Sequence, residues 1–271
     1  MIRRHTTLTA AILLGLGLGP IAIRAASADE PALNPKQDLI SLHYDHAPDR
    51  DDGQSAAADR TLLQSMFGRQ WLEEHILAVS GAYGKNRNRF QPESDKVMDA
   101  VFGDVGGWIA ADDDWNAAVE KVADRWIEQL RSGGDVWVKE GGQSDITAAA
   151  IRRVREELPE VNTRRRIHVV QHSDWNENQT TPTALAYTKA QARYVRIKDA
   201  NAYLNRKGGD EAFVRAATGH EKFGEHWKAA FEYYDPRQRV DFSDSGELMH
   251  IVGLPELDID AFARRFLQTL R

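Results

Sequence analysis

Apolar residues along this chain alternate between short continuous runs and longer stretches with helical spacing. Asp38-Leu39-Ile40-Ser41-Leu42-His43-Tyr44 is a short, mostly apolar run, and it predicts a buried strand. Ala56 to Phe67 follows as a helix. Glu74 to Gly81 predicts a second strand, and Pro92 opens a helix through Met98 and Val101. Ala118, Val119, Val122, Trp126, Ile127 and Leu130 share one face of a helix from Trp115 to Leu130, which Gly133-Gly134 ends. Asp135 to Lys139 predicts a third strand and Ile146 to Leu158 a helix closed by Pro159. Arg166 to Gln171 predicts a fourth strand and Arg193 to Ile197 a fifth. Beyond Asn205 the composition is mostly helical, with no legible order of elements.

Strands alternating with helices predict an α/β fold, a mostly parallel open sheet with helices on both faces. The loops after the first four strands are each rich in Asp, Asn, Glu, Gln or Gly. In such a fold these loops share one end of the sheet, where ligands bind. Four polar loops meeting there point to a site more strongly than any one of them.

The N-terminus changes the picture. Arg3, Arg4 and His5 form a basic start, Leu8 to Ile23 an apolar stretch, and Ala26-Ser27-Ala28 a small-x-small cleavage site. Residues 1–28 are therefore expected to be a secretory signal peptide, too short and glycine-rich for a stable membrane anchor. Residues 29–271 are then one exported domain, periplasmic or secreted. Cleavage removes three arginines and no acid, so the formal charge moves from −6 to −9. So acidic a surface argues against nucleic acid or anionic lipid as a partner. The chain has no cysteine, so an exported domain relies on its core, or on a bound metal, rather than on disulfides.

The densest chemistry lies in Tyr44-Asp45-His46-Ala47-Pro48-Asp49-Arg50-Asp51-Asp52-Gly53-Gln54-Ser55. It packs four carboxylates into eight residues, after a strand and before a helix. Such acids repel one another unless a cation sits among them, and oxygen ligation without thiolate suits calcium or magnesium. The same residues also read as a solvated acidic turn in which Asp51 or Asp52 caps the helix. Among the histidines no pair has zincin spacing. No Walker loop and no G-x-S-x-G elbow is present.

This loop resembles the first strand-loop of nucleoside-hydrolase-like proteins. The nearest pattern is that of a divergent branch, labelled putative cellulose-binding, whose loop reads roughly T-D-x-G-G-D-P-D-D-x-Q-S. Asp45, Asp49, Asp51, Asp52, Gln54 and Ser55 match, while Ala47, Pro48 and Arg50 depart from it. The resemblance implies calcium held by Asp45, Asp49 and Asp52, with Asp51 on sugar hydroxyls. Val138-Lys139-Glu140-Gly141-Gly142-Gln143-Ser144 corresponds to a segment whose backbone carbonyl helps hold the metal. Here that means the carbonyl near Lys139 or Glu140, or the Glu140 carboxylate instead. Phe242-Ser243-Asp244-Ser245-Gly246-Glu247 resembles the segment whose aspartate closes the metal site, which points to Asp244, with Asp241 as fallback. Asp244 also reads as a helix N-cap, with Glu247 completing a capping box. Asn176, Glu177 and Asn178 correspond to a cluster that holds sugar hydroxyls, and Trp175 beside them offers an aromatic face for a sugar or base; the same residues also read as a polar surface loop, and Asn86 or Asn88 is a further candidate contact.

The resemblance implies an exported calcium-dependent hydrolase acting on a glycosidic or N-ribosidic bond of a small sugar or nucleoside. A metal-activated water is the nucleophile, and Asp45 or Asp49 is the general base. The alternative is a non-catalytic carbohydrate-binding protein that keeps the fold, as the bulkier residues at Ala47, Pro48 and Arg50 suggest.

Overall fold

The computed structural model describes residues 31–48, 50–85 and 87–268. The expected signal peptide, Asp49 and Asn86 therefore lie outside the described residues. The expected α/β architecture is present: a six-stranded sheet with helices against both faces. Its strands are β1 (Leu39–Tyr44), β2 (Ile76–Ser80), β3 (Trp108–Ala110), β4 (Val136–Gly141), β5 (Ile167–Gln171) and β6 (Arg193–Arg196). They run in the order β3-β2-β1-β4-β5-β6, and every pairing in this sheet is parallel. A two-stranded antiparallel ribbon, β7 (Asn205–Lys207) with β8 (Arg239–Asp241), lies outside it.

The strand order reverses between β1 and β4, which lie side by side with Tyr44 opposite Gly141. From there successive strands are added outward in both directions, so the loops leaving β1 and β4 open a crevice at the carboxyl end of the sheet. The acidic loop after β1 and the glycine pair after β4 both sit at that switch point.

Side chains of a strand alternate between faces, and here the alternation sorts two cores. Ile40, Leu42 and Tyr44 pack with Trp137 of β4 on one face, against helices that include Asp52–Phe67, Ser94–Phe102 and Gly224–Tyr233. Leu39 packs with Val136, Val138 and Val169 on the other, under the helices Trp115–Arg131 and Asp145–Glu157. Both β1 and β4 are buried along their whole length, so their polar residues Ser41, His43, Lys139 and Glu140 must find partners inside.

Several boundaries differ from the sequence reading. The helix after β1 starts at Asp52 rather than Ala56 and takes the acidic loop's last aspartate into its first turn. Glu74 and His75 belong to a short helix, Arg69–His75, and β2 begins only at Ile76. Trp108–Ala110 pairs as a three-residue, half-buried edge strand, too short to leave a periodic signal. The β7–β8 ribbon is as short and half-polar. Trp175, Asn176, Glu177 and Asn178 form a helix, Asp174–Gln179, rather than an open loop, because Ser173 caps it by accepting from the Asn176 N–H at 3.3 Å.

Candidate functional site

At the switch point a cavity of about 220 Å³ is lined by residues that include Asp45, Asp51, Asp52, Asp244, His172, Trp175 and Asn176. They come from the loop after β1 and the first residue of the helix it enters, from His172 and the helix Asp174–Gln179 after β5, and from the N-cap of the helix Ser245–Ile251. A larger hollow of about 720 Å³ lies at the opposite, amino ends of β4 to β6, beside Asp135, Arg166 and Arg193. The smaller cavity is the better candidate because it sits at the ligand-bearing end of the sheet.

Asp45 follows β1 directly and is 4 % exposed. Its Oδ1 accepts from the Ala47 N–H at 3.0 Å, and its Oδ2 accepts from the Gln143 amide. Burial raises its pKa to about 7, against those hydrogen bonds. Gly142 makes this approach possible: a Cβ there would stand 2.5 Å from the Ala82 carbonyl oxygen and 2.8 Å from Asp45 Cβ. Asp52 Oδ2 accepts from the His46 N–H at 2.7 Å, and His46 holds the left-handed φ of 49° that turns the chain. No donor reaches the buried Asp52 Oδ1. Asp45, Asp52 and Asp244 all line the one cavity, so three carboxyls converge there. Burial, then the charges of Asp45 and Asp244, push the Asp52 pKa well above the usual carboxylate range.

Asp244 is held differently. Its Oδ1 lies 2.9 Å from His172 Nε2, and its Oδ2 lies 3.9 Å from Lys139 Nζ. Burial acts to raise its pKa, but Lys139 and His172 outweigh it and hold the carboxyl below the ordinary value. The expected capping box is absent: the Asp244 side chain makes no cap bond. Glu247 Oε1 instead accepts from the His172 N–H at 2.9 Å. Asp51 likewise sits at the N-cap of its helix without a side-chain cap bond, and it lines the cavity.

Glu140 is not part of this convergence. Strand alternation turns it to the opposite face, where its Oε1 accepts from Thr147 Oγ1 at 2.7 Å and lies 3.3 Å from His43 Nδ1. Its carboxylate as a ligand beside Asp45 is therefore corrected; the side chain belongs to a buried polar network with Ser41, His43 and Thr147. Asp241 stays with Arg239 at 3.5 Å and with the Ser243 N–H at 3.2 Å. Of the proposed sugar contacts, Trp175 and Asn176 line the cavity. Glu177 turns away to Tyr194 Oη at 2.9 Å and Lys189 Nζ at 2.8 Å. Asn178 is exposed, and its carbonyl accepts from Lys85 Nζ. Helix geometry turns Glu177 and Asn178 on past the cavity, each step carrying the side chain further round the axis.

Lys139, His172, Gln143 and Glu247 complete the site, and the sequence reading assigned their side chains no part in it. A signal existed for Lys139: an ammonium inside a buried parallel strand must be paired. Its partners lie far off in sequence.

Among the described residues, no group of three or more His, Asp or Glu side chains already has the spacing of a metal cage. No protein-family model, curated protein or solved structure matches the chain.

Proposed function

We propose that this protein is an exported hydrolase acting at the anomeric carbon of a small sugar or nucleoside, with calcium as its cofactor. The observation that carries this reading is the convergence of Asp45, Asp52 and Asp244 at the switch-point cavity. The donor set fits a hard cation: all three groups are carboxylates, and one buried oxygen, Asp52 Oδ1, lacks any donor. Asp45, Asp52 and Asp244 are the residues that would hold the ion. Bound there, calcium would supply positive charge that orients a water and sugar hydroxyls.

The chain's own residues do the rest. Asp45, raised to about 7 by burial, is poised to accept a proton from water near neutral pH. Water oxygen attacks the anomeric carbon as the bond to the leaving base or alkoxide breaks, and the carboxylates stabilise the developing oxocarbenium charge. Asp51 and Asn176 offer an acceptor and an amide to ring hydroxyls, and Trp175 offers a flat face. A cavity of about 220 Å³ is below the roughly 300–1,000 Å³ of drug-sized sites, which favours one small ring over a long glycan. The test is a reducing-sugar release screen over nucleosides and aryl glycosides with calcium present. Turnover that chelator abolishes supports the reading; no turnover on any of them counts against it.

A second reading, sugar binding without turnover, is favoured by one feature. Ala47 and Pro48 line the cavity at positions where the resembling loop has glycines, narrowing the room for a water. Equilibrium binding of a sugar that is never cleaved would make it the better account.

A further inference from the structure

Lys139 is fully buried, yet it lies on the same strand face as Trp137 and beneath the carboxylate cavity. Its Nζ stands 3.6 Å from Asp59 Oδ2 and 3.9 Å from Asp244 Oδ2, over the Tyr44 ring at 3.9 Å from the centroid. The His43 carbonyl accepts from it at 3.4 Å. Asp59 is itself fully buried and receives the Tyr44 hydroxyl at 2.7 Å. Gly141, two residues on, keeps the strand close: a Cβ there would meet the His43 carbonyl at 2.7 Å and Asp244 Cβ at 3.1 Å.

We infer that Lys139 is a built-in counter-ion of the site, anchored by Asp59, and that it sets how tightly the carboxylates take a divalent cation. Its effect on a cation rests on the calcium reading above; its role as counter-ion does not. A buried ammonium costs several kcal/mol to desolvate, so it stays only if nearby anions offset that cost. Asp59 at 3.6 Å and Asp244 at 3.9 Å from Nζ are those anions. Asp59 has no role at the cavity itself and is not among its lining residues. Its position beside Nζ divides the ammonium between two carboxylates. Asp244 is thereby held in place between Lys139 and His172, and the ammonium offsets one unit of the negative charge the site's acids bring.

Lys139 is thus a positioning residue, and opposite substitutions should act in opposite directions. Removing the ammonium leaves more negative charge for a divalent cation, and a full charge so near should change affinity about tenfold or more. Lys139→Met should therefore bind calcium more tightly than the parent. Asp59→Asn releases the ammonium toward Asp244 and should bind calcium more weakly. A purely structural lysine would weaken binding in both.

The experiment has two parts, done on the mature protein. In chelator, urea unfolding of K139M, D59N and the K139M/D59N double variant forms a double-mutant cycle. The ion pair predicts that the double variant is at least tenfold more stable in its folding equilibrium than the sum of the single losses implies. Additive losses would overturn the counter-ion role. Calorimetric calcium titration then reads affinity, using the double variant, which should also bind more tightly than the parent, if K139M alone does not fold. Weaker or unchanged affinity without Lys139 would overturn its control of the site. If no folded form binds calcium while the cycle is strongly coupled, the counter-ion assignment stands, its control of cation affinity is overturned, and the calcium reading falls with it.

Discussion

His172 Nε2 lies 2.9 Å from Asp244 Oδ1, and Asp199 Oδ1 lies 3.3 Å from the other ring nitrogen. The imidazole is 1 % exposed. Burial opposes its charge, but hydrogen bonds to Asp199 and Asp244 and the charge of Glu247 raise its pKa to about 10. The His172 ring and its backbone N–H thus join the loop after β5 to the helix that presents Asp244. The two residues stand 72 positions apart in the chain.

Removing that imidazole should leave Asp244 short of a donor inside the protein. His172→Leu is expected to cost about 3–5 kcal/mol, as for a buried pair broken at one partner. Asp199 is 59 % exposed, so Asp199→Asn should cost about 1 kcal/mol or less. Urea unfolding of both variants measures the contrast, and equal costs would show that Asp244 is not the partner that matters.

The metal-free protein should lose stability as pH rises from about 5 to 9. Burial raises Asp45 from 3.8 to about 7 and Glu247 from 4.5 to about 8. Both acids keep protons in the folded state that the unfolded chain has already lost. Their contribution is therefore full below about pH 4 and disappears as pH passes through the folded values. His172 acts with the same sign, from 6.5 to about 10. Asp244 and Asp199, both lowered, act in the opposite sense only in acid, and His46, lowered by burial from 6.5 to about 3, opposes the fall up to its ordinary value, so the decline is steepest above it. Thermal melts in chelator should fall across this range, and Glu247→Gln should flatten part of the slope. A melt that rises from pH 5 to 8 would contradict the protonated buried acids.

Calcium at a hundredfold excess over Kd should stabilise the fold by about 2.7 kcal/mol, read as a higher Tm than in chelator. Asp52→Asn should weaken calcium binding, because it neutralises one of the three converging carboxyls. Glu140→Gln should leave the affinity nearly unchanged, because that side chain faces His43 and Thr147. Calorimetry that finds Glu140 to matter as much as Asp52 would mean the ion binds elsewhere.

On any substrate the protein turns over, Asp45→Asn should lower kcat by about 10²–10⁴, the usual cost of a lost general base. Glu177→Gln should leave both kcat and KM near the parent values, since Glu177 is engaged by Tyr194 and Lys189. Steady-state kinetics on the two variants separates the cavity residue from a side chain that turns away from the cavity. Full activity in Asp45→Asn would move the base outside this position.

The alternation of apolar runs with helical stretches determined the fold class and five of the six strands of the main sheet, because a buried strand and an amphipathic helix leave different periods. Local acid density likewise marked Asp45, Asp51 and Asp52, and strand order placed them at a ligand-bearing end. The short β3, β7 and β8 escaped notice, since three residues carry no period. What only the tertiary structure decided is which side each residue serves. Lys139 and Glu140 are neighbours in sequence, yet pleating sends the ammonium to Asp59 and Asp244 and the carboxylate to His43 and Thr147. Likewise, Asp244 and Glu247 have the spacing of a helix cap, but His172, brought in from β5, engages both. Such pairings rest on contacts between distant segments, and a charge buried among them takes its partner from whichever side chain the packing brings within reach.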